Sequence, residues 1–296
     1  MTEYKGGMNL SSKLNMITMD DLRYPELLKE INDPPEIIYY KGNTDLLNKR
    51  CIAIVGSRRC SEYGKNVALK IAKQASINGF CVVSGMAIGI DNFAHQGALR
   101  VGGDTIAVLG NGVDICYPKQ HMKLYKEISD RGLIISELPY GTEPMPFRFP
   151  QRNRIIAGIS EAVVVVEART GSGSLITAEL ANTQGKLVFA VPGNITSQYS
   201  LGTNKLIVEG AQPLTVIDDM FHLLGVSPKV DPEELEALGS DEREIYELVA
   251  GIGEIPLDLI SAKTGMDPFL VNSVVSVLEI KGYVDYNMGK VIPIKF

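Results

Sequence analysis

Six uninterrupted apolar runs limit what this chain can fold into: Cys51–Val55, Phe80–Ser84, Thr105–Leu109, Leu133–Ser136, Ala162–Glu167 and Leu187–Val191. They are continuous, not alternating, as strands buried on both faces are. Helical patterns separate most of them, at Val67–Ile77, Phe93–Arg100, Met122–Ser129 and Leu175–Gln184. Regular β-α alternation predicts an α/β domain with a doubly wound parallel sheet and right-handed crossovers.

The flanks read differently. Residues 1–45 form a short N-terminal extension, with a helical pattern over Asp20–Ile31, a turn at Asp33-Pro34-Pro35 and a strand-like Ile37–Tyr40. The sheet domain runs over 46–225. Residues 226–239 hold Pro228, Pro232 and several acids, and read as a linker. In 240–296 lie three helical patterns, Arg243–Val249, Leu257–Thr264 and Pro268–Ile280, opened by Ser240 as N-cap and an acidic first turn. A hairpin follows, with its turn near Asn287–Gly289. Three helices and a hairpin predict a small C-terminal winged-helix domain.

The net charge of −6 is unevenly spread. Residues 231–296 hold 5 Lys+Arg against 13 Asp+Glu, a net of −8, which leaves +2 for the rest. A mildly basic body is compatible with a polyanionic partner, because local potential and not net charge attracts phosphate. No apolar run approaches the roughly 20 residues that span a bilayer. Met1–Lys5 opens no secretory signal. Cys51, Cys60, Cys81 and Cys116 make no CxxC knuckle. No metal or cofactor is expected, and the setting reads as reducing and cytoplasmic.

In doubly wound sheets, ligands bind at the carboxyl ends of the strands. Here those ends carry small or polar groups: Gly56-Ser57-Arg58, Ser84-Gly85-Met86, Gly110-Asn111-Gly112, Ser136-Glu137, Gly171-Ser172-Gly173-Ser174 and Pro192-Gly193-Asn194. Glycine lets a backbone come close, and helix starts offer free N–H groups to phosphate. Several such turns at one sheet edge predict a phosphate-binding site. Neither Gly56–Cys60 nor Gly85–Gly89 matches the dinucleotide fingerprint, and a Walker A lysine is missing. Asp91 and His95, four residues apart, invite a metal or acid–base reading, but a capping Asp beside a packed His is favoured. Glu137 and Glu167 read as acceptors of loop amides more than as a catalytic pair. No catalytic residue is expected.

The segment Phe149-Pro150-Gln151-Arg152-Asn153-Arg154 sets an aromatic and two arginines near the buried run at 162–167. A buried cation needs a partner, and no acidic residue adjoins them before Glu161. They read as groups held ready for an anionic ligand, with Phe149 for stacking. The plainer alternative is a helix start with two solvated arginines. Arg58, Lys119, Arg148, Arg152 and Arg154 all fall in segments expected at one edge of the sheet. Cations that track a backbone and an aromatic that accepts a base are the two needs of a single-strand site.

These residues resemble the DprA/Smf family, the DNA-processing proteins of natural transformation. The carrying motifs are Ile54-Val55-Gly56-Ser57-Arg58 with Tyr63-Gly64, Ser84-Gly85-Met86-Ala87-Ile88-Gly89-Ile90-Asp91 with Ala94-His95, and Gly110-Asn111-Gly112-Val113-Asp114 with Tyr117-Pro118. Ser136-Glu137, the stretch Phe149–Gly158, Ser172–Ala178 and Val191-Pro192-Gly193 complete the series. The resemblance implies an extended Rossmann-like domain that binds single-stranded DNA and forms a homodimer. It implies loading of the RecA recombinase onto incoming strands coated by single-strand-binding protein, with no catalysis. The family's DNA contacts map onto Arg58, Lys119, Arg148, Phe149, Arg152, Asn153 and Arg154. With the strand-end groups Gly56, Ser57, Ser84, Gly85, Ser172, Gly173 and Ser174 they make up the expected DNA site.

Two features depart from the family pattern. A helical domain found ahead of the motifs in many members reads as absent before Asp20. The winged helix is acidic, and Pro268–Ile280 holds no basic residue, so it is expected to contact protein and not DNA. An alternative of another class is a nucleotide-processing enzyme of the phosphoribohydrolase type on the same fold. It would use the loop Thr170–Ser174 and Glu179, but the loop lacks that type's doubled glycine.

Overall fold

The computed structural model describes residues 15–294. Met1–Lys5, and the expectation about a secretory signal with them, lie outside the described residues. The chain divides into two compact units, residues 1–215 and 216–296.

Among the described residues of the first unit, nine strands form one sheet. They are β1 (Met16–Thr18), β2 (Ile37–Gly42), β3 (Cys51–Val55), β4 (Cys81–Ser84), β5 (Thr105–Val108), β6 (Leu133–Ser136), β7 (Ala162–Val165), β8 (Leu187–Ala190) and β9 (Gln212–Pro213). Their order is β1-β2-β6-β5-β4-β3-β7-β8-β9. The strands from β3 to β9 pair in parallel, with Ile52 opposite both Val82 and Ala162. Every residue of β3, β4, β5, β6 and β7 is buried, which is what the continuous apolar runs demanded.

Among the described residues before 45, two strands belong to this sheet and do not form an extension outside it. β2 pairs antiparallel with both β1 and β6, and Ile17 and Ile38 are buried in the main core. The helical pattern over Asp20–Ile31 yields only α1 (Glu26–Lys29), which starts just after Pro25. A proline is tolerated at a helix start and not in its interior.

The helices between strands are α2 (Glu62–Ile77), α3 (Ile90–Arg100), α4 (Met122–Arg131), α5 (Arg148–Gly158), α6 (Gly173–Thr183) and α7 (Leu201–Val208). The arginine-bearing segment is thus the helix α5, which joins β6 to β7. Strand order reverses at β3: β4, β5 and β6 lie on one side, β7 and β8 on the other. The crevice beyond the carboxyl ends of β3 and β7 is the switch point, where such sheets hold ligands.

The second unit contains α8 (Ile217–Leu223), α9 (Pro232–Glu236), α10 (Ser240–Ile252), β10 (Ile255–Pro256), α11 (Leu257–Thr264), α12 (Pro268–Ile280), β11 (Val284–Asn287) and β12 (Lys290–Pro293). Its strands pair antiparallel in the order β10-β12-β11. Met288 and Gly289, at φ 51° and 81°, form the tight hairpin turn. Gly239 precedes α10, and its N–H is capped by the Glu242 carboxylate at 3.0 Å. Val230 and Leu238 share a core with Ile245, Val275 and Val291. The stretch 226–239 is therefore packed into this unit and is not a free linker. Among the described residues, no helix is long and apolar enough to cross a membrane.

Candidate nucleic-acid interface

At the switch point lies a cleft of about 600 Å³. The turn after β3 supplies Gly56, Ser57, Arg58 and Arg59; α5 supplies Phe149, Arg152 and Asn153; the loop after β7 supplies Arg169 and the run to Ser174. The β3 turn is fixed by its backbone. Ser57 N–H donates to the Glu167 carbonyl at 2.7 Å, and the Ser57 carbonyl accepts from Ile90 N–H at 3.2 Å. The Ser57 hydroxyl accepts from Arg59 N–H and donates to the Arg59 carbonyl. Arg58 and Arg59 therefore leave a rigid turn.

Two arginines here are held by aromatic faces. The Arg58 guanidinium lies 5.4 Å from the Phe149 ring centroid. The Arg169 guanidinium lies 4.9 Å from that of Tyr199. Phe149 in turn stacks on Tyr117, with centroids 5.5 Å apart and planes at 22°. Gly110 makes room for this stack, since a β-carbon there would sit 2.9 Å from the Phe149 ring. Tyr117 is 42% exposed and presents an open aromatic surface at the cleft. Tyr117 and Arg169 were not among the expected site residues. The Tyr-Pro motif carried a signal for Tyr117; nothing in the sequence marked Arg169.

The arginines of α5 are engaged differently. Arg152 is 4% exposed. Its Nη1 donates to the Gly85 carbonyl at 2.8 Å and to the Val108 carbonyl, and its Nε donates to Asn153 Oδ1 at 3.2 Å. Asn153 Nδ2 continues to the Gly173 carbonyl at 3.2 Å. This chain ties the ends of β4 and β5 to the start of α6. Burial lowers the Arg152 pKa to about 10; Asp91 opposes that shift and Arg58 adds to it. Arg154 donates to both oxygens of Glu137, at 2.9 and 2.6 Å, and to Asp33 at 3.0 Å. Burial opposes its charge, but these carboxylates outweigh it and raise the pKa. The fold thus brings carbonyl partners to Arg152 and acidic partners to Arg154 from distant segments, while Arg152 still lines the cleft.

Arg154 and several other expected residues fall outside the cleft lining, whereas Arg152 and Asn153 belong to it. Ser84 is fully buried, and its hydroxyl donates to the Ile54 carbonyl at 2.7 Å. Gly85 lines a small recess beside the cleft with Arg58, Tyr117 and Phe149. Lys119 is exposed, two residues beyond Tyr117. Arg148 donates to the Glu143 carbonyl and lies over Phe147. Ser172, Gly173 and Ser174 do line the cleft, at the start of α6.

The remaining titratable groups have local duties. Asp91 accepts from the N–H groups of Gly85 and Ala87, at 3.1 and 3.4 Å. Burial raises its pKa, against the pull of Arg152. His95 is buried against Thr105, so the pair does not converge on a ligand. Glu167 accepts from Ser61 N–H at 2.9 Å and from its hydroxyl, and Glu137 is spent on Arg154. Among the described residues, no group of His, Cys, Asp or Glu could hold a metal ion.

A doubly wound sheet whose switch-point cleft carries arginines and stacked aromatics defines a Rossmann-like protein with a basic, aromatic-lined cleft. More narrowly, the chain belongs to the DNA recombination-mediator protein A family, whose model matches residues 15–225. It is 47% identical over 203 residues to DNA processing protein DprA of Streptococcus pneumoniae, covering 69% of this chain and 71% of that protein. Protein Smf of Escherichia coli is 35% identical over 280 residues, covering 91% of this chain and 75% of its own. The solved structure of the S. pneumoniae protein matches with a TM-score of 0.69 at 44% identity, covering 71% of this chain and 74% of that one. DNA processing protein A of Helicobacter pylori, solved for its single-stranded DNA binding mode, matches with a TM-score of 0.65 at 32% identity, covering 72% and 96%.

Proposed function

We propose that this protein binds single-stranded DNA in the crevice between β3 and β7 and, as a non-enzymatic mediator, delivers the strand to the RecA recombinase. The observation that carries the reading is the pairing of Arg58 with the Phe149–Tyr117 stack. A cation beside a partly open aromatic surface suits a phosphate and its base together. The H. pylori relative's binding of single-stranded DNA supports the same reading. The bound strand contacts Gly56, Ser57, Arg58, Phe149 and the α6 start, with Lys119 and Arg148 guiding its flanks.

The cellular role proposed with it is protection of incoming DNA in the cytoplasm during natural transformation, by a homodimer that meets single-strand-binding protein and RecA; membership of the family supports this reading. The second unit serves as a winged helix that contacts protein. The phosphoribohydrolase alternative has little support, because Glu179 lines a separate groove with Lys186 and Lys205 and is absent from the cleft lining.

The test is an anisotropy titration of labelled oligothymidylate against duplex of equal length, over a range of salt. Contact with about four phosphates gives log K against log[salt] a slope near −3. Equal affinity for both substrates would sink the proposal.

A further inference from the structure

The loop after β7 ends in a turn in which Ser172 N–H donates to the Arg169 carbonyl at 3.0 Å, and α6 begins at Gly173. Ser172 makes no side-chain cap bond to the helix; its hydroxyl meets that of Ser174 at 2.8 Å. Arg169 sits at the root of this turn, on the β7 side of the cleft, and β7 is the direct neighbour of β3. Among the described residues it forms no salt bridge, and its Nε is buried without a hydrogen-bond partner.

What holds Arg169 is Tyr199. The loop bearing that tyrosine is pinned to the end of β7, since Ala168 N–H donates to the Tyr199 carbonyl at 2.9 Å and Gly202 N–H donates to the Ala168 carbonyl at 2.8 Å. An aromatic ring fixes a guanidinium through its face. A carboxylate would fix it through its edge and consume the donors that recognise an oxyanion. Arg169 is therefore oriented without being neutralised, as Arg58 is on the β3 side.

From this juxtaposition we infer that Arg169 is a second phosphate-binding residue of the cleft, positioned by Tyr199, so that a bound strand is gripped from the β3 wall and the β7 wall at once. This rests on the single-strand reading above. The phosphate taken by Arg169 lies at the α6 start, where free N–H groups favour the same charge. Tyr199 is a positioning residue.

The experiment measures oligothymidylate affinity and its salt dependence for wild type, Arg169→Gln, Arg169→Lys, Tyr199→Leu and, as reference, Arg58→Ala, with thermal unfolding of each. Arg169→Gln is expected to weaken binding about fivefold to tenfold near 0.1 M salt and to flatten the log–log slope by about 0.7, the value of one single-strand phosphate. Arg169→Lys should retain the slope while losing part of the affinity, because lysine keeps the charge without the planar fork. Tyr199→Leu should weaken binding with the slope nearly kept. If Arg58→Ala weakens binding and a folded Arg169→Gln or Arg169→Lys protein matches wild type in affinity and slope, the second grip is wrong and the single-strand reading survives. Failure of wild type to bind the oligonucleotide overturns both.

Discussion

Arg152 donates to the carbonyl of Gly85 at 2.8 Å, and a β-carbon on Gly85 would lie 2.4 Å from the same guanidinium. The glycine exists at that position to let a buried cation reach the ends of β4 and β5. Gly85→Ala should push Arg152 off its carbonyl acceptors and leave a buried charge poorly compensated. Such losses run to about 3 kcal/mol. Urea denaturation should show that destabilisation, and an unchanged midpoint would mean Arg152 has another place to go.

Arg154 separates structural from ligand-binding arginine. Three of its hydrogen bonds go to Glu137 and Asp33, and a fourth, at 3.4 Å, to the Gln151 carbonyl. Arg154→Ala should lower stability by about 1–2 kcal/mol, since it leaves a half-buried Glu137 unpaired. The salt slope for oligothymidylate should stay at the wild-type value. A slope flattened by about 0.7 would return Arg154 to the list of phosphate ligands.

The Phe149–Tyr117 stack gives an affinity prediction without a charge component. Tyr117→Ala should weaken oligothymidylate binding by about 1–3 kcal/mol and leave the salt slope intact. Phe149→Ala should do the same. Because the rings touch, the double variant should lose less than the sum of the two. Additive losses would show that each ring holds a different base.

His95 predicts a pH response of stability. Thr105 spends its hydroxyl proton on the Val82 carbonyl at 2.7 Å, so it accepts from His95 Nδ1 at 2.6 Å. His95 Nε2 is then bare, buried and without a partner. Burial, with the charges of His121 and Arg152, holds the pKa at about 3, below its ordinary 6.5. Between those values the unfolded chain takes up a proton that the folded chain refuses. The contribution is whole above pH 6.5 and is lost as pH falls toward 3, by at most about 1.4 kcal/mol per unit. His95→Asn keeps a donor for Thr105 and should show a shallower fall between pH 6.5 and 4.5 in urea titrations. Parallel curves would assign the titration to another group.

The second unit gives a prediction about DNA form. α12 carries no basic residue, and Phe269 and Ile280 on it are 82% and 86% exposed. A duplex groove binder needs cations to neutralise phosphate. A chain ending at Leu224 should bind oligothymidylate as the full chain does, and the full chain should gain no duplex affinity over it. Duplex binding that disappears with residues 225–296 would overturn the protein-contact role.

Much of this architecture was legible in residue order. Continuous apolar runs separated by helical patterns can hardly become anything but buried parallel strands, because each run has no polar face to turn to water. The small and polar groups after those runs marked the sheet edge where the cleft lies, at the ends of β3 and β7. Less legible were elements whose partners are remote. Ile37–Gly42 looks like a flank in sequence and becomes a sheet strand only because β6 offers it an edge. The acids around Val230 and Leu238 suggested a linker, although those two residues complete a core built from residues further along.

The sequence by itself determined the parallel strands, the helices between them and the edge at which the cleft lies, since these follow from local periodicity and the sterics of the chain. Only the tertiary structure decided what each arginine touches. Arg152 and Arg154 stand together in the sequence, and the carbonyls of Gly85 and Val108 and the carboxylates of Glu137 and Asp33 accept hydrogen bonds from them. Arg58 and Arg169 rest on the faces of Phe149 and Tyr199. A guanidinium has a face and an edge, and which of them is occupied depends on neighbours that are far away in the chain.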